Sequence, residues 1–198
     1  MDAVRVALLR EVLAGTEWLG ATRRFAGVLR GSVVSHGGGL LLAGTAEYEP
    51  WHLAAHLVDE AAWSGTPELA PTLVRHDPRP GDPAHLAVGP GRIEAARRGE
   101  TLLVASPSAD APLLERVADA RRAGVTVLAL GPVEADLTAL AHETLAVPDG
   151  SELDLDTVQH LVSAAAGETL PPARGRRRLA DRLSRLAERL TAPPPPPW

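Results

Sequence analysis

The sequence predicts an α/β domain: a doubly wound, Rossmann-like parallel sheet of about five strands flanked by helices, with additional helices at its N-terminal side. Three observations carry this reading. Residues 101–130 run strand, turn, helix, strand, the length and order of a βαβ unit whose two strands are parallel. The alternation of strand and helix then continues to residue 166. The strand candidates are short, continuous apolar runs, as expected of strands covered on both faces.

Each element has its own signal. Residues 2–14 read as an amphipathic helix with Val4, Leu8, Val12 and Leu13 near one face. A second helical stretch covers 17–30, and Gly37, Gly38 and Gly39 break the pattern after it. Leu40-Leu41-Leu42-Ala43, ending at Gly44, is the first strand, although Leu is not a strong strand former. Pro50 opens a helix that runs to Trp63, because proline suits a first helical turn. The second strand lies within 69–75, with Leu73-Val74 at its centre. Residues 76–91 carry Pro78, Pro80, Gly81, Pro83, Gly89 and Pro90 and read as loop, followed by a helix over 92–98. Thr101 to Ala105 is a strand, Ser106 to Asp110 a turn, Pro112 to Ala123 a helix stopped by Gly124, and Val125 to Leu130 a strand. A helix at 133–141, a strand at 143–147 and a helix at 154–166 complete the domain.

The composition changes after Leu170, so the predicted domain is 1–170 and the remainder, 171–198, is a tail. Arg174 to Arg189 holds seven Arg against Asp181 and Glu188, a local charge of 7 − 2 = +5. Leu179, Leu183, Leu186 and Leu190 form one apolar stripe on that basic helix. It reads as a helix packing in a dimer, as a surface for an acidic protein partner, or as a contact for anionic membrane or nucleic acid. Five consecutive prolines and Trp198 then predict a polyproline II tail, which could dock in an aromatic-lined groove.

Composition excludes several classes. The chain has no Cys, which removes disulfides, thiolate metal sites and Cys nucleophiles. The net charge of −5 argues against the whole chain being a nucleic-acid binder. Asp2, Arg5, Arg10, Glu11 and Glu17 break up any signal-peptide core, and no apolar run is long enough to span a bilayer. A soluble cytoplasmic protein is the expectation.

Chemistry is expected where strands end and helices begin, outside the carboxyl edge of the sheet. Two turns qualify: Gly44-Thr45-Ala46-Glu47-Tyr48-Glu49 and Ser106-Pro107-Ser108-Ala109-Asp110. Each leads into a helix N-terminus, where free N–H groups and the helix dipole favour an anion. Gly44, Thr45, Ser106, Ser108 and Asp110 are the candidate ligand-binding residues. Helix capping by Ser108 or Asp110 is the alternative. On the helix after Pro50, His52, His56 and Glu60 fall at i, i+4 and i+8 on one face. Two His at that spacing can chelate zinc, which makes His52 and His56 metal candidates; solvated histidines are the alternative.

Ala105-Ser106-Pro107-Ser108-Ala109-Asp110-Ala111 and Ala123-Gly124-Val125-Thr126-Val127-Leu128-Ala129-Leu130 resemble the signature region of sugar isomerase (SIS) domains. Gly38-Gly39-Leu40-Leu41-Leu42-Ala43-Gly44, followed by Trp51-His52-Leu53-Ala54-Ala55-His56-Leu57, resembles the corresponding segment of phosphoheptose isomerases. The element order agrees from about residue 1 to 168. The resemblance implies a phosphosugar ligand, isomerisation of sedoheptulose 7-phosphate by proton transfer between adjacent carbons, often with zinc, and a homodimer or homotetramer whose interface draws on residues 2–30. It also implies that His52 matches the family His and that His56 stands where the family has its catalytic, metal-binding Glu. A Gln and a His lie eight positions apart on the family's last helix. An ungapped count from Val147-Pro148 puts Thr157 and Ala165 there, and neither can serve. The ungapped count is preferred, but a register shifted by five puts Glu152 and His160 there and keeps His160 as a candidate, an ordinary surface His beside Gln159 being the alternative. His56 and His160 are therefore the candidate catalytic residues.

The departures are as informative as the matches. Ala46, Glu47 and Tyr48 stand where the family pattern has two glycines and a serine. Glycines permit close backbone approach to phosphate, and Glu47 adds a like charge. Pro107 replaces a Thr and removes an N–H donor, while Ala109 and Ala111 replace a Gly and a Ser. An anion site built on these loops is weaker than the family's. Three functions follow in order: a divergent or non-catalytic regulatory or accessory module binding a phosphosugar or related metabolite; an aldose–ketose isomerase using His56 and His160; and a scaffold acting through its C-terminal tail.

Overall fold

The computed structural model describes residues 9, 11, 13–148, 150–151 and 153–168. The predicted tail, 171–198, and most of the predicted first helix lie outside the described residues. Within that first helix, Leu13 N–H donates to Leu9 O at 2.9 Å and Leu13 is buried.

The described elements alternate. They are α1 (Glu17–His36), β1 (Leu40–Ala43), α2 (Trp51–Ser64), β2 (Pro71–Val74), α3 (Gly91–Glu94), β3 (Thr101–Ala105), α4 (Ala111–Arg122), β4 (Thr126–Gly131), α5 (Ala135–Leu140), β5 (Glu143–Ala146) and α6 (Leu155–Gly167). A short 3₁₀ turn, Pro67–Leu69, precedes β2. The five strands form one sheet in the order β2-β1-β3-β4-β5. Every pairing is parallel: Leu40 lies opposite Pro71 on one side and Thr101 on the other, Thr101 opposite Thr126, and Leu128 opposite Glu143. The expected doubly wound α/β fold is what the chain adopts. No helix among the described residues is long and apolar enough to cross a membrane.

Alternation along the strands divides the core into two layers. Leu40, Leu42, Leu103, Ala105, Leu128 and Leu130 face α1, α2 and α6, meeting Phe25, Leu29, Leu53, Leu57, Leu161 and Val162. Leu41, Ala43, Leu102, Val104, Val127 and Ala129 face α3, α4 and α5, meeting Ile93, Leu113, Val117 and Leu137. Leu-rich segments serve as strands here because both faces are covered. Burying a Leu side chain contributes about 1.5–3 kcal/mol, more than the roughly 1 kcal/mol span of strand propensities.

Some boundaries differ from the sequence reading. Helix α1 runs six residues past Arg30, because Ser32 and Val33 are buried and the helix ends only where Gly37 takes φ 64°. The expected helix over 92–98 is four residues long. The chain turns at 97–100 instead, with Glu100 N–H donating to Arg97 O and Arg97 N–H to the Glu100 carboxylate.

Candidate metal centre

Helices α2 and α6 follow β1 and β5 and pack along one another in the same layer. His52 and His56, one turn apart on α2, meet His160 of α6. His52 Nε2 is 2.9 Å from His160 Nε2 and 3.0 Å from His56 Nε2. The three rings stand edge to face with centroids 4.4–4.5 Å apart, and one ring nitrogen from each lies within 4.8 Å of the others. An imidazole nitrogen carries either one proton or one in-plane lone pair. His52 Nε2 faces two ring nitrogens at once and cannot form a full hydrogen bond to both. A cation at this point could accept all three lone pairs. The His56 pKa is pushed below its ordinary value by burial and then by His52, with Asp59 acting in the opposite sense. The neutral imidazole is the form that ligates a metal.

The sequence pairs His52 with His56 and leaves the third member open. The structure places His160 against them. Of the alternatives on the ungapped count, Thr157 gives its N–H to the N-cap Asp154 at 2.7 Å, and Ala165 packs against the apolar core. Glu152 lies outside the described residues. Glu60 does not join the cluster; its carboxylate lies against the backbone of Gly167, two turns along α2.

The two loops singled out from the sequence meet where the strand order reverses, between β1 and β3. Thr45 Oγ1 and Ser106 Oγ are 3.4 Å apart and both residues are buried. Ser108 N–H donates to Ser106 Oγ at 3.3 Å. Two of the donors around the start of α4, the Leu113 and Ala109 N–H groups, are taken by the chain's own carboxylates. Leu113 N–H donates to Asp110 Oδ1 at 2.8 Å, so Asp110 is an N-cap. Ala109 N–H points at both oxygens of Glu134, at 3.0 and 2.9 Å. Gly44 packs against its own loop: a Cβ there would lie 2.0 Å from Tyr48 O and 2.8 Å from Pro50 Cδ. The space between Gly44 and Asp110 is about 20 Å³, room for one water. A larger cleft of about 270 Å³ is lined by Pro107, Pro132, Val147, Pro148, Ser151 and Asp154 among others.

Tyr48 and Glu134 are the residues that sequence reasoning missed. The Tyr48 hydroxyl donates to Asp156 Oδ1 at 2.9 Å and accepts from Gln159 Nε2 at 2.6 Å. Its pKa is pushed up to about 12, first by burial, with the nearby Asp156 adding and the Gln159 bond opposing. Trp51 lies under the Arg75 guanidinium at 4.8 Å, and Arg75 also pairs with Glu49 and Asp82. No local pattern announces the Tyr48 and Trp51 contacts, because they join segments more than twenty residues apart in the chain.

No family model matches the chain. No curated protein matches it. Among solved structures, the Vibrio vulnificus NanR protein complexed with ManNAc-6P is similar at 14% identity, covering 98% of this chain and 77% of that one, with a TM-score of 0.44.

Proposed function

We propose that the chain is a divergent SIS-type module that binds a small hydroxylated metabolite, of the phosphosugar or a related class, beside a zinc-class ion held by His52, His56 and His160. The convergence of three Nε2 atoms from two helices carries this reading. The donor chemistry supports it. Neutral imidazoles suit zinc and its neighbours, and two of them bound at about 2.0–2.1 Å in tetrahedral geometry stand about 3.3 Å apart. The observed separations of 2.9 and 3.0 Å are close to that. When bound, such an ion polarises a ligand carbonyl or hydroxyl oxygen.

The chain's own residues leave less of a phosphate site than the family pattern has. Glu134 and Asp110 already accept from two of the N–H groups that a phosphate would otherwise take, those of Ala109 and Leu113. The described lining of the 270 Å³ cleft includes Asp154 and no Arg. Arg75 and Arg116 line the smaller space between Gly44 and Asp110, but Arg75 is paired with Glu49 and Asp82 and Arg116 with Glu94, so the chain holds phosphate more weakly than the family pattern does. A homodimer or homotetramer, a cytoplasmic location and a protein partner for 174–198 are part of the same proposal.

The second reading is an aldose–ketose isomerase of the sedoheptulose 7-phosphate type. His56 and His160 favour it, since imidazole moves protons near neutral pH. A ring nitrogen committed to a metal is not a base, so this reading needs one of the two released from the ion.

Zinc titration of the purified chain tests the proposal. At a hundred times its dissociation constant, an ion that binds only the folded state adds about 2.7 kcal/mol, a rise in Tm of about 5–11 °C for a domain of this size. His160→Ala abolishes the rise. A wild-type chain whose Tm ignores zinc refutes the metal centre. Turnover of sedoheptulose 7-phosphate that His56→Ala abolishes would establish the second reading.

A further inference from the structure

Two contacts between the α2 side and α6 share one spacing. Tyr48 meets Asp156, and His52 meets His160; each pair is separated by 108 residues in the chain. Tyr48 and His52 are four residues apart, and so are Asp156 and His160, so the two contacts are successive rungs of one ladder. On α6 that offset is one helical turn, which places Asp156 and His160 on the same face. A second bond, from Gln159 Nε2 to the Tyr48 hydroxyl at 2.6 Å, comes from the residue adjoining His160. Gln159 is fully buried, so its amide is fixed by packing as well as by this bond.

The geometry points to Tyr48 as a positioning residue for the histidine cluster: its hydroxyl, clamped by Asp156 and Gln159, sets the register of α6 against the entry to α2 and with it the spacing of His160 from His52. The inference rests on the metal reading above. His52 and His56 share one helix, and their spacing is fixed by the α-helical repeat. His160 arrives from a separate element, and only packing between α2 and α6 controls its distance. Apolar packing tolerates small slides of one helix along another, whereas metal coordination is sensitive to a few tenths of an ångström. A directional hydrogen-bonded clamp one rung away removes that slide. Tyr48 touches none of the three imidazoles among the contacts described, so its influence is exerted through the placement of α6.

The test is cobalt(II) binding to the full chain, read by its visible absorption, which reports coordination geometry as well as affinity. Tyr48→Phe keeps the ring and removes the clamp; Asp156→Ala removes one of its jaws from the exposed side. Val117→Ala, in the opposite core layer, is the control for general destabilisation. Tyr48→Phe is expected to weaken cobalt binding about tenfold, the lower end of what outer-shell partners contribute, and to change the band shape. Asp156→Ala should act in the same direction. Val117→Ala should lower Tm and leave both cobalt readouts unchanged. Wild-type affinity and spectrum in Tyr48→Phe would overturn the inference, as would equal weakening by Val117→Ala. A wild-type chain that binds no cobalt would overturn the metal reading itself and this inference with it.

Discussion

Replacing Glu134 tests whether the start of α4 is closed from within. Its carboxylate receives the Ala109 N–H at 3.0 and 2.9 Å, one donor shared between two oxygens, and counts as one bond. A hydrogen bond to an ionised group contributes about 1.5–3 kcal/mol, and a negative charge at a helix N-terminus about 0.3–1 kcal/mol. Glu134 is only half-buried, and its remaining exposure lets solvent and salt screen the charge contribution more than the directional one. Glu134→Ala should therefore cost about 2–3 kcal/mol; Glu134→Gln keeps one acceptor oxygen and costs less. Asp110 caps the same turn through Leu113 N–H, and Asp110→Ala should cost about 1 kcal/mol. The two sites share a turn, so the double variant should depart from additivity. Urea unfolding with an unchanged m-value is the assay, because a changed slope would mean that the unfolded or folded ensemble had moved as well. A Glu134→Ala midpoint equal to wild type would refute the reasoning: the carboxylate would then not be held, and the α4 donors would be open to a phosphate.

Two further outcomes follow from the same loops. Gly44→Ala places a methyl group 2.0 Å from the Tyr48 carbonyl, so the β1–α2 loop must shift; a loss of about 1–3 kcal/mol in thermal or urea unfolding is expected, and a neutral substitution would show that the loop is not closed on itself. Tyr48 is the chain's only tyrosine, so phenolate absorbance reports it alone; the folded protein should titrate near pH 12 and the urea-unfolded chain near about 10. Because the folded pKa is the higher one, the folded state binds more protons between those values, and stability should fall as pH rises through that window. A folded-state midpoint near about 10 would mean that the Tyr48 hydroxyl is not buried against α6 as described.

Much of the fold was legible because it is written in local patterns. Continuous apolar runs such as Thr101 to Ala105 are fixed as strands by length and by their Gly and Pro flanks, and the βαβ rule then makes neighbours parallel. Ends were less legible where tertiary contact decides them. Helix α1 continues past Arg30 because Val33 is buried in the apolar layer beneath the sheet, a fact no local window contains. The short α3 ends early because Glu100 ties back to Arg97, and the sequence shows only two charges three residues apart.

The site divides along the same line. His52 and His56 are visible as a pair because one helix repeat sets their distance. His160 is 104 residues beyond His56, 160 − 56, and its membership depends on how the chain between β5 and α6 is counted. An ungapped count selects Thr157 and Ala165, while the packing of α6 on α2 selects His160. The anion loops invert this case. Ser106, Ser108 and Asp110 are readable as a ligand turn, yet what occupies their donors is Glu134, from beyond β4. Spacing within one element therefore identified residues of the right chemistry, and contacts between elements decided which of them converge and which are already satisfied. That is why the histidines, read as a pair, are the stronger candidate site, and why the loops, read as the phosphate cradle, are the weaker one.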